Sequence, residues 1–319
     1  MNLQQLLEFA LNKTNFTSIE NFIDFSRRYL DFAFTPDSLQ ATIISRNEQH
    51  YKFFQYKADG HFNITRPINS NLLIDADNSH RLSDDFLRAL GSVRDIAPED
   101  TDTRLLICNS IYTIQQSIGT TLDALPAGQA NTARKINGDL FERLIRLLIQ
   151  RLGVDCTSGN ISVPVTLDNV EQFRMNYQHD LIIRDGEVVK IIGGVKTSSK
   201  DRIDKIFLDK FLYCQLTGTT VPHIAIFLND VQRKKAVQPN QFGINATFLP
   251  GHFKAYTIKL SPLDGVYYCD IRPNMRTDPL LSQHIRTIDH FFCSDLWRLM
   301  EQVHGDPNAT VEEAGEDTP

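Results

Sequence analysis

The chain lacks long apolar runs. None approaches the roughly 18 consecutive residues that a membrane-spanning helix needs. The opening stretch MNLQQLLEFALNKTNF carries an early acid and neither a basic start nor a cleavage site, so no secretory leader is expected. Cysteine is sparse: Cys108, Cys156, Cys214, Cys269 and Cys293 are odd in number and contain no C-x-x-C pair. That pattern indicates neither a disulfide framework nor a structural zinc site, and buried thiols are expected instead. The nine histidines show no metal-ligand spacing, and no G-x-S-x-G elbow occurs. Gly193-Gly194-Val195-Lys196-Thr197-Ser198 falls short of a phosphate-binding loop, because Val195 separates glycine from lysine and the earlier glycine is missing.

What is present describes a globular chain of 319 residues, 41% hydrophobic and 23% charged, long enough for one large domain or a domain with an appendage. The formal charge of −6 would suit a nucleic-acid binder poorly if it were spread evenly. It is not. Residues 301 to 319 hold six of the 39 acids (Glu301, Asp306, Glu312, Glu313, Glu316, Asp317) and no Lys or Arg, leaving 33 acids against 33 bases in the body. From Arg134 to Lys235 there are 16 basic and 12 acidic residues, so the central third is the part best able to face an anion. The acidic tail, 301–319, is expected to be a solvated, disordered end.

Residues 1–130 read as a mainly helical N-terminal region. Ile19, Phe22, Ile23, Tyr29 and Leu30 keep helical spacing after a Ser18 cap, and Ile107, Ile111, Ile114 and Ile118 do so in a second segment. Residues 41–75 alternate and suggest short strands. From 135 the pattern sharpens: an amphipathic helix to Leu152, a strand at 161–166, and two β-rich runs between Asp180 and Lys196 around Asp185-Gly186, a strong hairpin signal. A helix at 201–216 and a buried strand at 223–228 follow. A strand pair at 254–260 and 266–271 is expected next, then a helix from Pro279 to Met300 capped by Asp278. Residues 131–300 thus form the expected core, an α/β (α+β) arrangement with a mixed sheet flanked by helices.

An acid opening one hairpin strand and a lysine closing its partner bring a carboxylate and an ammonium together at one sheet edge. Asp180 and Lys196 have that placement. The run His179-Asp180, then Gly194-Val195-Lys196, on a helix-β-β-β-helix-β frame, resembles the PD-(D/E)XK nuclease core. Lys196-Thr-Ser-Ser-Lys200-Asp201-Arg202 followed by Asp209 is similar to type II restriction endonucleases of the EcoRII/NgoMIV-like group, which cut CCGG, CCNGG and CCWGG sites. The resemblance covers about residues 135 to 230.

What the resemblance implies can be given position by position. Asp180 would be the central metal ligand and Lys196 the residue that steers the attacking water. The motif's middle acid would stand at 194, where this chain has Gly194; in that group the missing carboxylate comes from the following helix, and Asp209, 13 residues after Lys196, takes its place, with Asp204 as competitor. The group usually has Glu there, so the shorter Asp is a departure. Glu142 matches the auxiliary acid. Lys200, Asp201 and Arg202 match the element that reads a CC...GG component, since Arg and Lys donate to guanine and Asp accepts from cytosine in the major groove. The resemblance further implies Mg²⁺ as cofactor, double-stranded DNA as substrate, 5′-phosphate and 3′-hydroxyl products, and a homodimer matching a palindromic site. A cytoplasmic, prokaryotic setting and a cognate DNA methyltransferase as genetic partner are expected with it. Left open are a non-catalytic DNA-binding protein on a degenerate nuclease core and a repair or recombination nuclease that recognises structure.

Overall fold

The structure is a computed structural model that describes every residue except 58–63, 201, 235–237, 239–240, 303–304, 307–308 and 314–319. In chain order its elements begin with helices α1 (Leu3–Leu11) and α2 (Ile19–Ala33), strands β1 (Leu39–Ile44), β2 (Tyr51–Tyr56) and β3 (Ile68–Asn69), and helices α3 (Asp84–Gly91), α4 (Thr101–Leu122) and α5 (Ala130–Arg151). Then come β4 (Asp155–Leu167), β5 (Val170–Asp185), β6 (Val188–Ser198), α6 (Ile203–Thr217), β7 (His223–Asn229), β8 (Val231–Lys234) and β9 (Gly243–Ala246). The last stretch holds α7 (Pro250–Lys259), β10 (Gly265–Tyr268), α8 (Pro273–Thr277), α9 (Leu281–His284), β11 (Ile285–Thr287), α10 (Ile288–His290), α11 (Leu296–Glu301) and β12 (Thr310–Glu313).

Two compact units divide the chain: Met1–Leu144 with Leu228–Thr247, and Ile145–Phe227 with Phe248–Pro319. This grouping differs from the contiguous segments expected above. Residues 131–144 and 228–247 go with the N-terminal region because packing in space, not chain order, decides the partition.

In the first unit α4 is buried nearly all round, with Ile107, Ile111, Ile114 and Ile118 fully enclosed. Some of its buried polar side chains bond internally: Ser117 meets Ser26 at 2.9 Å, and Gln115 donates to the Asn137 carbonyl at 2.9 Å. Ser18 caps α2 as its spacing implies, accepting from the Asn21 N–H. The β1–β2–β3 sheet is antiparallel, and β8 and β9 pair beside it through a cluster of Tyr51, Phe53, Val231 and Ile244.

The second unit is built on a mixed seven-stranded sheet in the order β11-β10-β7-β6-β5-β4-β12. β4, β5 and β6 form an antiparallel meander; β10 runs parallel to β7 and to β11. Gly186, at φ 57°, makes the β5–β6 turn, a left-handed backbone that glycine adopts without strain. Under α6, Tyr213 packs with Ile161, Val163, Tyr177, Ile182 and Ile192, while Phe207 packs with Phe227, Phe253, Val266 and Tyr268. Four of the five cysteines are buried and all are free thiols.

Three expectations are corrected here. Residues 254–260 are mostly α7, not a strand: Pro250 starts the helix, Phe253 and Thr257 are buried one turn apart, and Ile258 is 64% exposed, so the apparent alternation hid a helical period. The helix expected over 279–300 is broken. Asp278 does cap a turn, accepting from Leu280 and Leu281 N–H, but Ile285–Thr287 pairs with β10, and a π-helical turn at Phe291–Asp295 precedes α11. Sheet pairing of the β-branched Ile285 and Thr287 overrides helical periodicity. Nor is the tail from 301 wholly unstructured: Thr310–Glu313 adds β12 to the outer edge of β4, and Arg184 holds Glu313 at 2.7 Å.

Candidate active site

β5 pairs in register with β4 up to His179↔Gly159 and resumes at Ile182↔Thr157. Between these points Asp180 and Leu181 together oppose the single residue Ser158, a β-bulge. The extra residue shifts the side-chain alternation. Tyr177 and His179 face α6 before the bulge, and Ile182 rejoins the same core cluster after it. Asp180 is therefore released from strict alternation and turns towards β6, whose pairing with β5 ends at Leu181↔Gly193. Arg146 of α5 donates to Ser158 Oγ at 2.6 Å and holds the far side of the bulge.

At the open end of the β5–β6 pair, Asp180 Oδ2 accepts from Val195 N–H at 2.8 Å and from Lys196 Nζ at 2.5 Å. The carboxylate is 14% exposed and the ammonium side chain 29%, so the pair is sheltered yet reachable. Gly194 has a steric reason for lacking a side chain. A Cβ there would come within 2.8 Å of Ile206 Cδ1 of α6 and 3.9 Å of Asp180 Oδ2. The helix fills the space that the motif's middle acid would use.

Asp209 lies on the row of α6 that contains Ile206 and Tyr213, three and four residues away, the row turned to β5 and β6. Its carboxylate pairs with Lys205 Nζ of the same helix at 2.5 Å. Burial, and after it the charge of Asp209, pushes the Tyr177 hydroxyl above its ordinary value. Asp204, the competing acid, stands 3.9 Å from His252 Nδ1 of α7. Glu142 is half-buried on α5, in the first unit. Among the described residues no group of three or more His, Cys, Asp or Glu side chains is gathered to hold a metal. The structure thus brings Asp180 and Lys196 together, and gives Asp209 a lysine partner of its own.

No family model matches the chain, and no curated protein matches it in sequence. Among solved structures it is similar to the type IIP restriction endonuclease Kpn2I, at a TM-score of 0.65 and 17% identity over 93% of this chain and 97% of that one. The fold is restriction-endonuclease-like. A slighter likeness, at a TM-score of 0.41 and 12% identity over 69% of this chain and 92% of that one, is to PspGI in complex with substrate DNA.

On this restriction-endonuclease-like sheet, Lys200 and Arg202 are exposed at the N-terminal end of α6, and Lys200 N–H donates to Ser198 Oγ at 3.3 Å. Asp201 lies outside the described residues. Sequence reasoning missed the layer beneath the site. His179 and His223 are buried with Tyr177 and Tyr213, with ring centroids 5.5 to 6.4 Å apart. Burial, aided by nearby positive charge, pushes both imidazoles down to about 3. Tyr213, raised by burial, donates to the buried Asp306 at 2.8 Å. The alternation Tyr177, His179 was visible in the sequence; the bulge that separates it from Asp180 was not.

Proposed function

We propose that this protein is a type II restriction endonuclease that cleaves both strands of DNA at a palindromic site with a CC...GG component, leaving 5′-phosphate and 3′-hydroxyl ends. The observation that carries the reading is Lys196 Nζ and Val195 N–H meeting on one oxygen of Asp180 at a β-bulge of this fold. A carboxylate and an ammonium set side by side, away from bulk water, suit the handling of a phosphate and a water molecule.

Asp180 has an oxygen suited to Mg²⁺. Both hydrogen bonds made to Asp180 by the described residues fall on Oδ2, which leaves Oδ1 for a hard cation that prefers oxygen. Asp180 and Asp209 would hold the ion; exchange of Lys205 for the cation is cheap, because that lysine is 67% exposed and surface pairs are weak. When bound, Mg²⁺ supplies positive charge to offset charge developing on the phosphate. Lys196 donates to the attacking water and steers it in line. Lys200 and Arg202, exposed just ahead of α6, read the CC...GG component together with Asp201. A palindrome asks for two copies related by a two-fold axis, hence a homodimer with one site per strand.

A second reading, a non-catalytic DNA-binding protein, is favoured by Gly194 and by the Lys205 partner of Asp209. Incubating purified protein with plasmid DNA and Mg²⁺ decides between them. Discrete bands support the endonuclease, binding without cleavage supports the second reading, and a smear indicates a nuclease without sequence preference. Sequencing the cut ends then gives the site.

A further inference from the structure

The strand that delivers Asp180 continues well past the sheet. β6 leaves β5 at Leu181, and β12 covers β4 only between Gly159 and Ser162, so from Val163 and Met175 outward β4 and β5 run on as a two-stranded ribbon to a tip at Asp168 and Asn169. The two faces of the β4–β5 pair between the ribbon and the bulge differ. Ile161, Val163 and Tyr177 point into the core beneath α6. The opposite face carries the even-numbered residues of β5 that lead up to the bulge, Arg174, Asn176 and Gln178, across from Pro164, Ser162 and Asn160.

Asn176 and Gln178 are exposed, and no hydrogen bond joins either side chain to another described residue. They are therefore unlike Arg174, which is turned back onto Ser162 at 2.9 and 3.0 Å. Along β5 no acid stands between residues 174 and 180; Glu312 of β12, paired with Asn160, is on the same face two strands from Gln178, and Glu171, nearer the tip, is 3.5 Å from Arg174. At about 3.4 Å per residue, Gln178 stands roughly 7 Å and Asn176 roughly 14 Å along the strand from Asp180. DNA rises about 3.4 Å per base pair along each strand, so a duplex aligned with β5 offers these amides bases about two and four pairs from the bond at Asp180. Side-chain amides match the adenine edge in the major groove, accepting from N6 and donating to N7.

We propose that Asn176 and Gln178 determine part of the DNA sequence specificity, reading A·T pairs about two to four positions from the scissile bond. This deepens the nuclease reading and rests on duplex DNA lying at Asp180.

Selection of bound duplexes from a random-sequence pool, with Ca²⁺ in place of Mg²⁺, tests it independently of cleavage. Wild-type protein should enrich A·T at fixed positions, and Asn176→Ala with Gln178→Ala should lose about tenfold or more of that preference per position while the rest of the selected site stays. Circular dichroism of the variant should match wild type, since both residues are exposed. Selection of the same sequence by wild type and variant would overturn the proposal and leave the nuclease reading standing. Selective binding of A·T-containing duplexes by a protein that never cuts DNA in Mg²⁺ would sink catalysis and leave the specificity proposal standing. Absence of any selected sequence overturns the specificity proposal.

Discussion

Lys196 Nζ lies 2.5 Å from Asp180 Oδ2, and the oxygen it touches is the one already held by Val195 N–H. One side chain is thus fixed by backbone from the neighbouring strand and by a movable cation at once. Lys196→Ala should remove the cation and leave the carboxylate in place. Cleavage is expected to fall at least about 100-fold with DNA binding preserved. Asp180→Ala should abolish it. Plasmid digestion beside a gel-shift titration checks both, and full activity in either variant would refute the assignment.

Gly194 touches Ile206 more closely than a side chain there would allow. Gly194→Ala should cost about 1 to 3 kcal/mol of stability through overpacking. Adding Ile206→Val, which deletes the atom 2.8 Å away, should recover most of the loss. Urea denaturation of the two single variants and the double gives the coupling; strictly additive effects would show that the contact is not the cause.

The pair between Lys205 and Asp209 predicts opposite effects of its two members on metal demand. Asp209→Asn should raise the Mg²⁺ concentration for half-maximal cleavage about tenfold or more. Lys205→Ala, by removing a competitor, should lower it, with stability changed by less than about 1 kcal/mol. A Mg²⁺ titration of cleavage rate in which the two variants move together would refute Asp209 as ligand.

Arg202→Ala, at the exposed start of α6, should weaken specific binding about tenfold while leaving the thermal midpoint unchanged. Fluorescence anisotropy with cognate and scrambled duplexes checks it; an unchanged ratio between the two would remove Arg202 from the reading element.

Acid should unfold the protein in part through its buried imidazoles. His223 and His179 are pushed down to about 3 by burial from an ordinary value of 6.5, so the unfolded chain takes up protons that the folded one refuses. The stability at stake is fully present above about pH 6.5 and is lost progressively down to about pH 3, at about 1.4 kcal/mol per pH unit for each group. Denaturant unfolding across that range should show the slope, and His223→Gln should make it shallower. An unchanged slope in the variant would assign the acid sensitivity to other groups.

Much of the site's scaffold was legible in the sequence because it rests on local rules. Two β-rich runs about a tight turn must be neighbours, which puts Asp180 and Lys196 at the same sheet edge, and the apolar spacing along α5 and α6 marks helices whatever they pack against. What contact in space decides was not legible. The bulge at Asp180 depends on the register with β4, the exclusion of a side chain at Gly194 depends on Ile206 arriving from α6, and Ile285–Thr287 becomes a strand only because β10 offers an edge. Local periodicity reports which residues seek burial and at what spacing; only the assembled sheet determines which partner each backbone group finds, and so where a freed side chain points.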